Sequence, residues 1–113
     1  MQLDPRKYVW DARCPADAIV QFTSGRSWED FTRDLQLRSA VERQFEIIGE
    51  ALRQLSRVDP ALAASIPELP RIVAFRNILV HGYAIVDQSI VWKVIQENLP
   101  ALRSHLAVLQ GDD

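Results

Sequence analysis

The chain of 113 residues has one cysteine, Cys14, only four glycines and two histidines, and no low-complexity stretch. A lone cysteine excludes an internal disulfide and any metal site built from thiolates, so no metal and no cofactor is expected. No window reaches the roughly 18 to 20 apolar residues of a membrane span. The charges at Asp4, Arg6, Lys7, Asp11 and Arg13 break the apolar run that a signal peptide needs, so a cytoplasmic protein away from the membrane is the expectation. Excess positive charge is also missing. With a formal net charge of -2, the chain lacks the broad basic surface that holds nucleic acid by phosphate neutralisation alone, and any such contact has to be local.

What is present is ordinary globular composition, 48% apolar and 25% charged, in a length that suits one domain over 1–113. Eleven of the thirteen cationic residues are arginine, the residue suited to forked contacts with phosphate or carboxylate. Strand-like alternation is absent, and apolar residues recur at helical spacing between short turn signals. The expected fold is all-α, an up-and-down bundle of four to five helices.

The first helix is expected over 5–23, with Tyr8, Ala12, Ala16, Ile19, Val20 and Phe22 inward and Pro15 as a point of kinking or interruption. Ser27 ahead of Glu29 and Asp30 reads as a helix start leading into the next long helix. That helix, over 35–57, carries Val41, Phe45, Ile48, Leu52 and Leu55 on one seam, and Gly49 at its middle predicts a close helix crossing. Asp59-Pro60 opens a short helix, and another spans about 70–81 with Gly82 as its stop. A last helix is expected over 88–110, bent at Pro100.

The segment from Ile72 to Val80 does not fit a plain core. Its apolar side chains occupy nearly the whole helix circumference, which predicts burial on most sides, yet Arg76 and Asn77 sit at its middle and His81 at its end. Asn77 and His81, four apart, share a face. Arg76 and His81, five apart, lie roughly 140° around the helix and would flank a groove. Two routes bring them together: a helix end at Gly82, or a two-fold partner supplying the second set. From the residues alone, a satisfied polar network with a histidine complementing the helix dipole stands beside a functional site.

Arg76, Asn77, His81, Gly82 and Tyr83 resemble the hallmark of the HEPN superfamily, specifically its HepT-like toxin family: arginine, a polar residue, three further positions, histidine, any residue, tyrosine. Ala40-Val41-Glu42-Arg43 with Glu46 to Ala51 resembles that family's second helix, and Ile90-Val91-Trp92 with Asn98 to Leu102 its last. The resemblance implies a homodimeric bundle in which two motifs meet across the two-fold axis to form one RNA-cleaving cleft without a metal. It also implies the toxin component of a toxin-antitoxin system, encoded beside a minimal nucleotidyltransferase antitoxin. Carried over, Arg76 and His81 are the catalytic pair of an RNA endonuclease, Asn77 the polar helper, and Tyr83 the tyrosine that the nucleotidyltransferase modifies with AMP. The alternative is a non-catalytic HEPN module that only partners the nucleotidyltransferase.

The residue types suit that chemistry. Cleaving RNA without a metal requires a group to take the 2′-hydroxyl proton and another to stabilise charge gathering on the phosphate. Histidine can do the first, or protonate the leaving 5′-oxygen, and arginine does the second as a donor that keeps its charge. AMP on Tyr83 would add bulk and negative charge where RNA has to enter. Glu46 and Glu50 can pair with Arg76 from the facing helix, although a salt-bridge stripe is the expected arrangement. His105 reads as a surface histidine, and Trp10, Trp28 and Trp92 as core or interface anchors.

Overall fold

A computed structural model describes residues 3–82 and 86–111. Among them the chain forms seven helices and no strand, as the periodicity predicts. α1 (Pro5–Thr23) opens on Asp4, whose carboxylate accepts the Arg6 N–H, and runs unbroken through Pro15. Its buried positions are Val9, Ala12, Pro15, Ala16 and Ile19, whereas Phe22, expected inside, is 37% exposed. The inward stripe is thus set by Val9, and Phe22 falls beyond its edge.

α2 (Trp28–Arg33) begins at a reciprocal cap: the Ser27 hydroxyl accepts the Asp30 N–H, and the Asp30 carboxylate accepts the Ser27 N–H. It does not merge into the next helix. Asp34 takes an extended conformation and its carboxylate caps α3 (Leu35–Val58) by accepting the Leu37 N–H at 3.0 Å. α3 thus starts at Leu35, where the sequence places it, and the turn opened at Ser27 leads into it as a separate short helix. Phe31 of α2 packs against Trp28 and Trp92, with ring centroids 6.4 and 5.1 Å away; Trp92 lies against the core as expected, whereas Trp28 is 37% exposed.

α3 is the central column. Val41, Phe45, Ile48, Leu52 and Leu55 are fully buried along the expected seam, and α1, α2, α4 and α5 all pack on it. α4 (Pro60–Ala64) starts at Asp59 and Pro60, and α5 (Leu69–His81) then lies on α3, with Phe75 meeting Phe45 edge to face at 5.2 Å. The expected last helix is two helices, α6 (Gln88–Glu97) and α7 (Leu99–Leu109). Pro100 has no N–H to continue α6 and its ring would clash with the preceding turn, so it occupies the first turn of a new helix after Asn98. α7 returns along α1, where Arg103 bonds Asp17 at 2.9 Å and Arg13 bonds Gln110 at 2.6 Å. The long helices α1, α3 and α5, with the broken α6–α7 arm, make the bundle.

Candidate functional site

The site grows from the crossing of α3 and α5. A Cβ built on Gly49 would stand 2.2 Å from Arg76 Cβ and 2.6 Å from its Cγ, so glycine is what lets the arginine stem lie directly on α3. The close crossing expected from Gly49 is there. From that seat the Arg76 guanidinium reaches two partners: Nη2 is 3.3 Å from Glu50 Oε2, and Nη1 donates to Asn77 Oδ1 at 3.0 Å. The side chain is 18% exposed. Pairing with Glu50 therefore occurs, while Glu46 bonds Arg43 at 3.3 Å as a member of the expected stripe.

Glu50 is held from its own helix as well. Its Oε1 accepts from Gln54 Nε2 at 2.9 Å, and Arg53 lies 3.5 Å from Oε2. The Gln54 hydrogen bond is the main influence drawing its carboxyl below the usual glutamate range; Arg76 and Arg53 add to this, and burial opposes it. A carboxyl depressed in the folded state contributes stability above its unfolded-state pKa and loses it as pH falls through the lower folded value. The stability difference between wild type and Glu50→Gln is thus expected to be constant near neutral pH and to shrink in acid, below the usual glutamate range. Urea melts across a pH series measure it; a difference that grows in acid would contradict this sign.

α5 is not covered on most sides. Leu69, Ile72, Phe75 and Leu79 face the core, but Ala74, Asn77, Ile78 and His81 form an exposed stripe, with Ile78 57% exposed and neighbouring Val80 41%. This corrects the expectation of general burial: within one chain α5 has its main packing on α3 alone, so half of its apolar circumference remains in solvent. Asn77 and His81 share the exposed face, as their spacing requires. Arg76 points toward α3 instead, so one chain does not bring Arg76 and His81 together. Asn77 bonds the arginine and not the histidine ring.

Gly82 ends α5, its N–H donating to Ile78 O at 2.9 Å; a Cβ there would approach that oxygen to 2.7 Å. Its φ of -79° is ordinary, so close backbone approach and not a left-handed turn is what suits glycine here. Tyr83 lies outside the described residues.

Beside Arg76 a cleft of about 650 Å³ opens between α1, α3 and α5. It was not legible from the sequence, because it needs α1 placed against α5 across α3. Its charges cancel in pairs, Lys7 with Asp11 at 2.6 Å, Arg43 with Glu46 and Arg76 with Glu50. Trp10 stands at its edge, 59% exposed, and is thus no core anchor of the single chain. His105, read as a bland surface residue, has Nδ1 2.7 Å from Glu68 Oε1, which ties α7 to the start of α5. Among the described residues no group of histidine, cysteine and carboxylate side chains is placed to hold a metal, and no helix is long and apolar enough to cross a membrane.

The all-helical bundle is consistent with the HEPN fold that the sequence resembles. The chain belongs to the ribonuclease HepT-like family, whose model matches residues 14–109. It is 32% identical over 112 residues to "Probable ribonuclease HepT" of Thermococcus cleftensis, covering 97% of this chain and 99% of that one. It is 29% identical over 108 residues to "Putative RNase MJ1380" of Methanocaldococcus jannaschii, covering 94% and 96%. No solved structure matches it.

Proposed function

We propose that this protein is a metal-independent endoribonuclease, the toxin of a toxin-antitoxin pair, and that it works as a homodimer. The observation that carries this reading is the pairing of family membership with an exposed α5 face on which Asn77 and His81 stand together beside Ile78. Arg76, bonded to Asn77, binds the phosphate and stabilises the charge that develops on it. His81 moves a proton, from the 2′-hydroxyl or to the leaving 5′-oxygen, and two copies across a two-fold axis divide those tasks. Asn77 has its oxygen committed to Arg76, which leaves its amide hydrogens for the phosphate.

Dimerisation through the exposed face explains why a polar site is set among apolar residues. Ile78 and Val80 would be desolvated against the second chain, and Trp10 is close enough to the cleft to join them. Ile78→Arg is expected to yield a folded monomer without cleavage. Light scattering and an RNA assay on the same sample check it; a dimeric and active variant would rule out this face as the interface.

The partner is a minimal nucleotidyltransferase antitoxin that transfers AMP from ATP to the Tyr83 hydroxyl, releasing pyrophosphate and the phenol proton, and so places bulk and negative charge two residues from His81. The deciding experiment first treats purified protein with ATP and Mg²⁺, with the antitoxin supplied or withheld, and then incubates it with RNA in excess EDTA. Cleavage only where the antitoxin was withheld is expected. No cleavage in either condition, together with AMP found on Tyr83 by mass spectrometry, would favour a non-catalytic module that partners the nucleotidyltransferase.

A further inference from the structure

Arg76 carries five donor hydrogens, and the structure shows how they are divided. Glu50 sits on the Nη2 side and Asn77 on the Nη1 side. Each terminal nitrogen has two hydrogens, so one on each remains beyond these contacts, enough for the forked geometry that suits phosphate. Glu50 is itself fixed: Gln54 holds its other oxygen, and Gly49, the residue just before it, sets the separation of the helices. The chain of contacts Gln54–Glu50–Arg76–Asn77 therefore runs from the middle of α3 to the exposed face of α5.

A second observation points the same way. Glu50 Oε2 lies within ion-pair distance of both Arg76 Nη2 and Arg53, yet it and Arg76 Nε are buried without an aligned hydrogen bond. Two ion pairs compensate the carboxylate's charge without fixing the direction of either guanidinium, so Nε and Oε2 each keep an unused bonding direction toward the other residue. A small rotation of the guanidinium would bring Nε and Nη2 side by side onto the carboxylate and would swing the remaining hydrogens outward.

We infer that Glu50 is a positioning residue of the site: it sets the orientation in which Arg76 meets an RNA phosphate. This rests on the ribonuclease reading of Arg76. Glu50 does not touch RNA, and as an anion beside the phosphate site it opposes ground-state binding, so its value is in geometry and not in attraction. Its removal should separate turnover from affinity. Arg76 remains present and charged but has no fixed direction, and misplacement by about 1 Å is worth on the order of 10²-fold in rate.

The test compares wild type, Glu50→Ala and Glu50→Gln in three measurements. In single-turnover RNA cleavage, Glu50→Ala is expected to lose about 10²-fold in rate, and Glu50→Gln, whose amide oxygen still accepts from the guanidinium, to recover most of it. In binding of a non-cleavable 2′-O-methyl RNA, Glu50→Ala is expected to bind as tightly as wild type or tighter. In side-chain ¹⁵N spectra, the Arg76 Nη resonances are expected to be distinct in wild type and to merge in Glu50→Ala as the guanidinium rotates freely.

A Glu50→Ala protein with unchanged cleavage rate per folded molecule, or with weakened RNA binding that accounts for its whole loss, would overturn the inference while leaving the ribonuclease reading intact. If wild type does not cleave at all, the ribonuclease reading fails on its own. The inference, which rests on that reading, then falls with it, whereas a cleaving wild type with identical Arg76 resonances in all three proteins overturns the inference alone.

Discussion

His81→Ala and Arg76→Ala are each expected to abolish RNA cleavage while leaving the bundle folded. The losses have different origins. Losing a positioned acid or base costs about 10² to 10⁴-fold in rate, and losing one donor to a developing oxyanion about 10² to 10³-fold. His81 is exposed and lies at the last position of α5, so truncating it removes no core contact. Arg76 is different. Its removal leaves Glu50 beside Arg53 and Gln54, so the carboxylate keeps partners and the fold should survive with a modest loss of stability. Mixing the two inactive variants supplies a sharper test: if the cleft is composite, heterodimers hold one intact half-set each, and partial recovery of activity is expected. Wild-type rates in either single variant would remove these residues from the chemistry.

Substituting Gly49 should have the largest effect on stability. Alanine is the better helix former by about 1 kcal/mol, so at an uncrowded position Gly49→Ala would stabilise α3. Here the new methyl would stand 2.2 Å from Arg76 Cβ, an atom attached directly to the α5 backbone and unable to swing aside. The two helices must separate, and overpacking of this kind costs typically about 1–3 kcal/mol. Net destabilisation is expected, seen as a lower urea midpoint, and Gly49→Val should be worse because a branched side chain enlarges the clash. Gly49→Ala should also reduce cleavage by more than its stability loss explains, since it moves the seat of Arg76. A midpoint unchanged or raised in Gly49→Ala would show that the crossing is looser than 2.2 Å implies.

Much of this could be read in the sequence because it is locally encoded. The seam of α3, the caps at Ser27 and Asp59, the stop at Gly82 and the close approach at Gly49 each depend on a residue's own backbone chemistry or on helical spacing. The main boundary that moved did so where a proline competes with apolar periodicity, at Asn98–Pro100, whereas α3 starts at Leu35 as expected. At α5, spacing alone could not tell which apolar residues are covered by the same chain and which by another, so Ile78 and Val80 passed for core. The motif itself was visible as a polar interruption of an apolar helix. Its wiring was visible only as options: Glu46 and Glu50 both offered Arg76 a partner, and the choice of Glu50, like the contact from His105 to Glu68, depends on side-chain placement that no spacing rule fixes.

The way α5 is held has a mechanical consequence. Its base is fastened by the Glu68–His105 bond and its middle rests on Gly49, while in its last turn Leu79 alone packs inward and Ile78, Val80 and His81 stand in solvent. It is a cantilever with its fulcrum at the crossing. At 1.5 Å of rise per residue, His81 stands about 7.5 Å beyond Arg76, so a tilt of roughly 10° at the fulcrum carries the histidine more than about 1 Å while the arginine scarcely moves. Changes in the bulk of the buried side chains around the fulcrum would therefore tune the reach of one residue against the other without altering either.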